Sequence, residues 1–284
     1  MNNPKPKILI TGASGYVGAK VYKYLQTAGL NVIGTYYSSP LFQELVYCDL
    51  TDPKQITDLF TQHNPDVIVH IAAKPSNSAC DAAPEIAKDL NINATKSLVE
   101  EAKKHNAKFI FISSFAAINP SGLYGESKQI GEELVSTLDR YVILRPSMIV
   151  GVSPNTKNDC TFNKIIQEIE KKNGEAAYDL SWEFNVTFLS HLAEICLNLI
   201  NESKFVNQII PIATNKITSR YRLAEAILSP FNIKVSPIDK GVKRDEPAID
   251  WGVYEKLLLP TKSYEEGINE IISELKAIYK LSIT

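Results

Sequence analysis

Along the first 150 residues the apolar positions follow two alternating rhythms. Short runs that are apolar throughout, "KILIT", "NVIGTY", "DVIVHIAA", "FIFISS" and "YVILRPS", are rich in β-branched and aromatic residues. Between them lie longer stretches with apolar residues every three or four positions. Strands apolar on both faces need cover on both faces, and parallel strands need crossovers, which the helical stretches provide. The pattern predicts an α/β fold built on a doubly wound parallel sheet. Past Gly151 the segments "TFNKIIQEIEKK", "VTFLSHLAEICLNLI", "TSRYRLAEAILSPF" and "SYEEGINEIISELKAIY" read as helices, with Thr218 or Ser219 able to cap the third. They predict a smaller C-terminal α/β lobe over residues 152–284, some of it returning to the core formed by 1–151.

The first strand runs into "ITGASGYVG". Lys7 to Thr11 reads as a buried strand and Ala19 to Ala28 as a helix, with Val21 and Leu25 on one face and Gly29 at its end. Gly12, Gly15 and Gly18 therefore sit between strand and helix. Gly12 permits a tight turn, Gly15 lets the backbone approach a pyrophosphate, and Gly18 lets the helix pack on the sheet. Ser14, Tyr16 and Val17 fall on the same turn, where free N–H groups and the helix dipole favour a phosphate. A plain turn with incidental glycines is the competing reading.

The second strand ends in "GTYYSSP". No Asp or Glu occurs from Val32 to Leu41, so nothing there grips a ribose 2′-hydroxyl or repels a 2′-phosphate, while Thr35, Tyr36, Ser38 and Ser39 offer hydroxyl donors. The cofactor expected is NADP(H) in preference to NAD(H), although no Arg is present to clinch it. In "YCDLTD", Asp49 could accept from an adenine amino group with Leu50 alongside the ring, and Asp52 before Pro53 reads as a helix N-cap.

A second constellation is "SGLYGESKQIGEEL". Tyr124 and Lys128 are four apart at a helix start and share one face. A phenol is a poor acid–base catalyst at neutral pH unless an ammonium lowers its pKa, which makes Tyr with Lys a proton-transfer unit. "FIFISS" supplies Ser113 and Ser114 at the edge where α/β active sites open.

Composition removes other classes. With 44% apolar and 22% charged residues and a net charge of −2, the chain of 284 residues is an ordinary soluble protein with no electrostatic footprint for nucleic acid or a membrane surface. Cys48, Cys80, Cys160 and Cys196 are far apart without metal-ligand spacing and read as reduced and mostly buried. No signal peptide or membrane span is visible, so a cytoplasmic location is the default expectation. Lys171 and Lys172 read as a solvated helix face.

In this order the motifs resemble the extended short-chain dehydrogenase/reductases, the NAD-dependent epimerase/dehydratase superfamily, nearest the dTDP-4-dehydrorhamnose reductases. The resemblance rests on the TGxxGxxG turn, "HIAAKPS", "LNINAT", "SS", "YGESK" and "LRPSMIVG", and continues more weakly beyond Gly151. It implies that Tyr124 is the general acid or base and that Lys128 lowers its pKa and holds the nicotinamide ribose. Ser114 would bond the reacting oxygen. Asn91 would support the lysine, with an ordinary helix amide as its alternative. It also implies that Ala72, Ala73 and Lys74 lie along the cofactor, that His70 is structural, and that the chain is an oxidoreductase acting on a keto group of a nucleotide sugar, with a homodimer as the family's arrangement.

One departure bears on the substrate. Only "FAAINPSGL" separates Ser114 from Tyr124, where the extended family carries a longer pocket wall. Nine residues at about 3.3 Å each still span strand end to helix start. Phe115 and Ala116 replace the acidic pair of the dehydratases, which disfavours dehydration. Lys74, Lys164, Arg220 and Arg244 are the cations available to a diphosphate, and Trp182 or Tyr221 could stack a base or sugar, with solvated surface charge and core packing as the bland alternatives. An NAD-retaining epimerase and a non-catalytic dinucleotide-binding regulator, as the beta subunit of methionine adenosyltransferase is in this superfamily, remain as alternative functions.

Overall fold

The computed structural model describes residues 5–171, 173–202, 207–242 and 249–280; Lys172 and Arg244 lie outside them. The first half runs β1 (Lys7–Thr11), α1 (Tyr16–Thr27), β2 (Asn31–Tyr36), β3 (Val46–Tyr47), α2 (Pro53–His63), β4 (Val67–His70), α3 (Asn77–Asp81) and α4 (Pro84–Lys88). A π-helical turn, Asp89–Asn93, leads into α5 (Ala94–Lys104), β5 (Lys108–Ile112), α6 (Gly122–Val135), β6 (Tyr141–Pro146) and β7 (Met148–Val150). The rest is α7 (Thr161–Lys171), β8 (Glu175–Asp179), β9 (Glu183–Phe188), α8 (Leu189–Asn201), β10 (Gln208–Ile212), β11 (Ile217–Ser219), α9 (Arg220–Leu228), β12 (Lys234–Ile238), α10 (Gly252–Leu257) and α11 (Tyr264–Ile278).

The main sheet has seven strands in the order β10-β6-β5-β4-β1-β2-β3, every pairing parallel. This is the doubly wound architecture that the apolar runs predict. Helices cover both faces. Val21 and Leu25 of α1 join Leu192 and Cys196 of α8 on one face, and Ile56, Phe60 and Leu98 meet Phe109 and Phe111 on the other. The chain order reverses between β1 and β4, which places a crevice beyond the carboxyl ends of these strands. Cys48, Cys80 and Cys196 are buried and Cys160 is half-buried, all four as free thiols.

A second apolar cluster gathers Phe162, Phe184, Phe188, Leu223, Ile271 and Leu275. It is framed by a three-stranded sheet, β11-β9-β7, with a two-stranded sheet, β12-β8, alongside. Two local expectations change here. Val186–Phe188, read as the start of a helix, closes β9, and the helix begins at Leu189; β-branched and aromatic residues suit the strand they enter. The first helix begins at Tyr16 rather than Ala19. Among the described residues no helix is long and apolar enough to cross a membrane.

Candidate functional site

The glycine-rich turn forms at the switch between β1 and β4. Gly12 has φ +69°, a conformation that costs glycine nothing, and a side chain there would press on the backbone of Ala72. A Cβ on Gly18 would collide with the Gly12 carbonyl. Gly15 is the N-cap of α1, and no side chain caps that helix, so the N–H groups of its first turn face outward from the sheet edge. Thr35 is buried; its hydroxyl accepts from the Gly12 N–H at 3.3 Å and its carbonyl from the Ala13 N–H at 2.8 Å. Thr35 therefore braces the turn, leaving Tyr36 half-buried and Ser38 and Ser39 exposed at the end of β2.

Three expected cofactor residues have other commitments. The Tyr16 ring is buried in the second apolar cluster, and its hydroxyl donates to the Gly151 carbonyl at 2.6 Å. Burial raises that phenol well above its usual pKa. Leu50 lies in the core with Ile56 and Phe60. One Asp49 carboxylate oxygen accepts from the Thr51 N–H at 2.9 Å and hydroxyl at 2.7 Å. Asp52 caps α2 as its position before Pro53 predicts, accepting from the Lys54 N–H at 2.9 Å.

Across the crevice, β4 ends in His70, whose ring bonds the Thr11 hydroxyl at 2.7 Å and the Thr95 hydroxyl at 2.9 Å. Burial, with the charge of Lys128, holds its pKa down at about 3. A neutral ring with both nitrogens engaged is a structural bridge. The Thr11 hydroxyl also receives the N–H groups of Ile71 at 3.0 Å and Ala72 at 3.2 Å, which ties the two strand ends together. Ala73 and Lys74 follow, both half-buried.

The proton-transfer group assembles at the end of β5. Ser114 follows that strand, accepts from the Ala116 N–H at 3.2 Å, and caps the short 3-10 turn Phe115–Ala117. That turn absorbs the short link to α6, and Gly125 lets α6 lie against it, since a Cβ there would press on the Ala116 carbonyl. Tyr124 is half-buried in the first turn of α6. Burial raises its phenol above the ordinary value while a hydrogen bond from Ser114 pulls it down. The structure thus brings Ser114 and Tyr124 together.

Lys128 lies one turn further along α6 than Tyr124. It is buried, donates to the Ile112 carbonyl at 2.8 Å, and lies 4.8 Å over the Phe111 ring. Burial pushes its ammonium down to about 8, against the raising influence of Glu132. Beside Tyr124, the Ser114 hydroxyl favours the phenolate against the effect of burial. Glu132 is itself buried, accepting from Ser113 at 2.5 Å and from Nε and Nη2 of Arg145 at 2.9 and 2.5 Å. Asn91 accepts from the Lys74 N–H at 2.8 Å, donates back to its carbonyl at 3.3 Å, and donates to Ser127 at 3.0 Å. It fastens the Lys74 backbone to α6 one residue before Lys128.

Two contributors escaped the sequence reading. Asn77 accepts from the Tyr124 N–H at 3.1 Å and donates to the Ser121 carbonyl at 2.9 Å, capping α6 from a distant segment. Asn155 donates to the Ser14 carbonyl at 2.7 Å. Neither belongs to a local motif; the one available signal is that short amides in loops bond backbone groups readily. Around the second apolar cluster, Lys164 pairs with Asp159 at 3.0 Å on the exposed surface, and Arg220 lies 4.9 Å over the Trp182 ring. Tyr221 donates to Glu225 at 2.7 Å.

A family model described as the RmlD substrate binding domain matches residues 6–275. Among curated relatives, methionine adenosyltransferase 2 subunit beta of Xenopus tropicalis is 25% identical over 295 residues, covering 94% of this chain and 87% of its own. Among solved structures, the dTDP-4-dehydrorhamnose reductase of Bacillus anthracis, in complex with NADP, superposes with a TM-score of 0.81 at 19% identity, covering 95% and 99% of the two chains. The UDP-glucose 4-epimerase of Thermotoga maritima, solved with UDP-glucose, gives 0.79 at 19% identity over 96% and 99%.

Proposed function

The chain belongs to the RmlD substrate binding domain family, and from that premise we propose that it is a reductase transferring hydride from a nicotinamide dinucleotide, NADP(H) in preference to NAD(H), to a keto group of a nucleotide sugar. The observation that carries the proposal is the meeting of Ser114 with Tyr124 at the carboxyl edge of the sheet, beside a glycine cradle that side chains would fill. The cradle fits a diphosphate: Gly12, Gly15 and Gly18 keep it shallow, and the backbone of Ser14, Tyr16 and Val17 supplies the uncapped helix start. Tyr36, Ser38 and Asp49 would meet the adenosine end, and Ala72, Ala73 and Lys74 the crevice wall.

When bound, the dinucleotide supplies the hydride. The chain supplies the proton and the orientation. Tyr124, kept protonated by burial, is an acid at neutral pH and would donate to the carbonyl oxygen while the Ser114 hydroxyl polarises it. Lys128 is cationic below about 8; one N–H is held by Ile112, which leaves others for a ribose hydroxyl. Asn91 and Asn77 hold the backbone on either side of this helix face. Thymidylated or uridylylated 4-keto sugars are the substrates to test first.

One observation favours a second reading. The identity to methionine adenosyltransferase 2 subunit beta extends over 94% of the chain, and a regulatory subunit would use the same cradle without turnover. Titrating the purified protein with NADPH and NADH by calorimetry, then assaying 4-keto nucleotide sugars, separates the readings. Exchangeable NADPH with turnover abolished in Tyr124→Phe supports the reductase; dinucleotide binding without turnover supports the regulator; retained NAD supports an epimerase.

A further inference from the structure

Three hydrogen bonds join the glycine-rich turn to the segment that leads into the second lobe. Tyr16 donates through its hydroxyl to the Gly151 carbonyl at 2.6 Å. Ser153, buried, donates to the Tyr16 carbonyl at 2.7 Å, and Asn155 donates to the Ser14 carbonyl at 2.7 Å. The partners lie 135, 137 and 141 positions apart in sequence. Asn155 is itself fixed. Its Oδ1 accepts from the N–H groups of Lys157 and Asn158, both at 3.1 Å, and its carbonyl accepts from Asn163 of α7 at 3.3 Å. Asn163, fully buried, also holds the Asn158 carbonyl at 2.8 Å.

The two carbonyls that Ser153 and Asn155 capture flank Gly15. Asn155 holds the Ser14–Gly15 peptide, whose own N–H closes the turn on the Gly12 carbonyl at 2.9 Å, and Ser153 holds the Tyr16–Val17 peptide, whose N–H points away from the captured carbonyl and out of the turn. A flexible turn would lose this order and would have to regain it on meeting an anion. We propose that Asn155, assisted by Ser153, is a positioning residue for the glycine-rich turn, through which the lobe-forming segment presets the N–H groups that meet a diphosphate. The proposal rests on the reading that this turn takes a dinucleotide.

Two measurements test it on the full-length protein: calorimetric titration with NADPH, and amide hydrogen exchange over residues 12–18 without ligand. Asn155→Asp retains the acceptor toward Lys157 and Asn158 and removes the donor to Ser14. Asn155→Ala removes the donor without adding charge, and Ser153→Ala removes the neighbouring bond. One hydrogen bond corresponds to about a fivefold effect, so exchange in the turn should rise, and the NADPH Kd weaken, by about fivefold in each variant. The KM for the sugar substrate should stay near wild type, which a merely structural disturbance of the site would not leave untouched. Exchange and Kd both within about twofold of wild type in all three variants overturn the proposal. Wild-type protein that binds no dinucleotide refutes the functional reading instead, and turn exchange then decides the clamp by itself.

Discussion

A lysine stands at each end of strand β5, Lys108 within the strand and Lys128 reaching its last residue from α6, and each is buried and bonded to backbone carbonyl groups. Lys108, at its start, donates to the carbonyls of Leu199 and Glu202, the latter at 2.9 Å. Lys128 donates to the Ile112 carbonyl at its finish. Burial pushes each ammonium down to about 8. Their surroundings differ. Lys108 spends its donors on the last turn of α8, where free carbonyls and the helix dipole welcome a cation. Lys128 spends one donor on the sheet and sits on a face shared with Tyr124, Asn91 and the crevice. A perturbed pKa marks burial; the neighbouring unsatisfied chemistry marks function.

The sharpest way to break this comparison is to remove each charge in turn. Lys128→Met should lower kcat by about a hundredfold or more, as loss of a proton-transfer partner does, and weaken NADPH binding by about fivefold through the lost ribose donor, whereas Tyr124→Phe should be at least as severe in kcat with NADPH binding retained. Steady-state kinetics beside calorimetry check both. Lys108→Met should leave kcat unchanged and cost about 1–3 kcal/mol of stability, because it strands buried carbonyls, read by chemical denaturation. Equal losses of activity in the two variants would erase the distinction.

The pH dependence sharpens it further. A lysine at about 8 in the folded chain but near its ordinary value when unfolded binds fewer protons in the native state between those values. Wild-type stability relative to Lys108→Met therefore rises with pH from about 8 toward about 10.4. The difference between the two proteins isolates Lys108, since Lys128 titrates in both. Activity runs the other way: carbonyl reduction should fall as pH passes about 8 and Lys128 loses its charge. Denaturation midpoints and kcat/KM across this range test the opposing signs.

The smallest effect expected is at Asn77. Its replacement by Ala removes a cap from α6, worth about 1 kcal/mol, and should lower kcat a few-fold with little change in substrate KM. Asn77→Asp keeps the acceptor toward the Tyr124 N–H and should recover part of the loss, which a purely structural contact at the Ser121 carbonyl would not allow.

Much of the molecule was legible because its signals are local. Apolar runs marked β1, β2, β4, β5 and β6, glycine spacing marked the turn, and the four-residue interval put Tyr124 and Lys128 on one helix face. The short interval after Ser114 was visible too, but not how the chain would use it: a 3-10 turn packed on Gly125 closes the gap. Harder to see was the second lobe. Val186–Phe188 carried a helical period into what became a strand, and β7, β8, β11 and β12 are short pieces whose apolar faces are defined only by what they pack against.

The sequence by itself determined where the backbone turns, which strands are buried on both faces, and which hydroxyl, phenol and ammonium lie near the sheet edge. Each depends on residues within a few positions of one another, where sterics and periodicity act directly. Only the tertiary structure decided that Tyr16 turns into the second lobe, that Thr35 braces Gly12, that Lys128 reaches Ile112 before Tyr124, and that Asn77 and Asn155 hold the two halves of the site. Those outcomes depend on pairs of groups far apart in sequence, brought together by the packing of a sheet and two apolar clusters, and no local pattern encodes which distant carbonyl a short amide will meet.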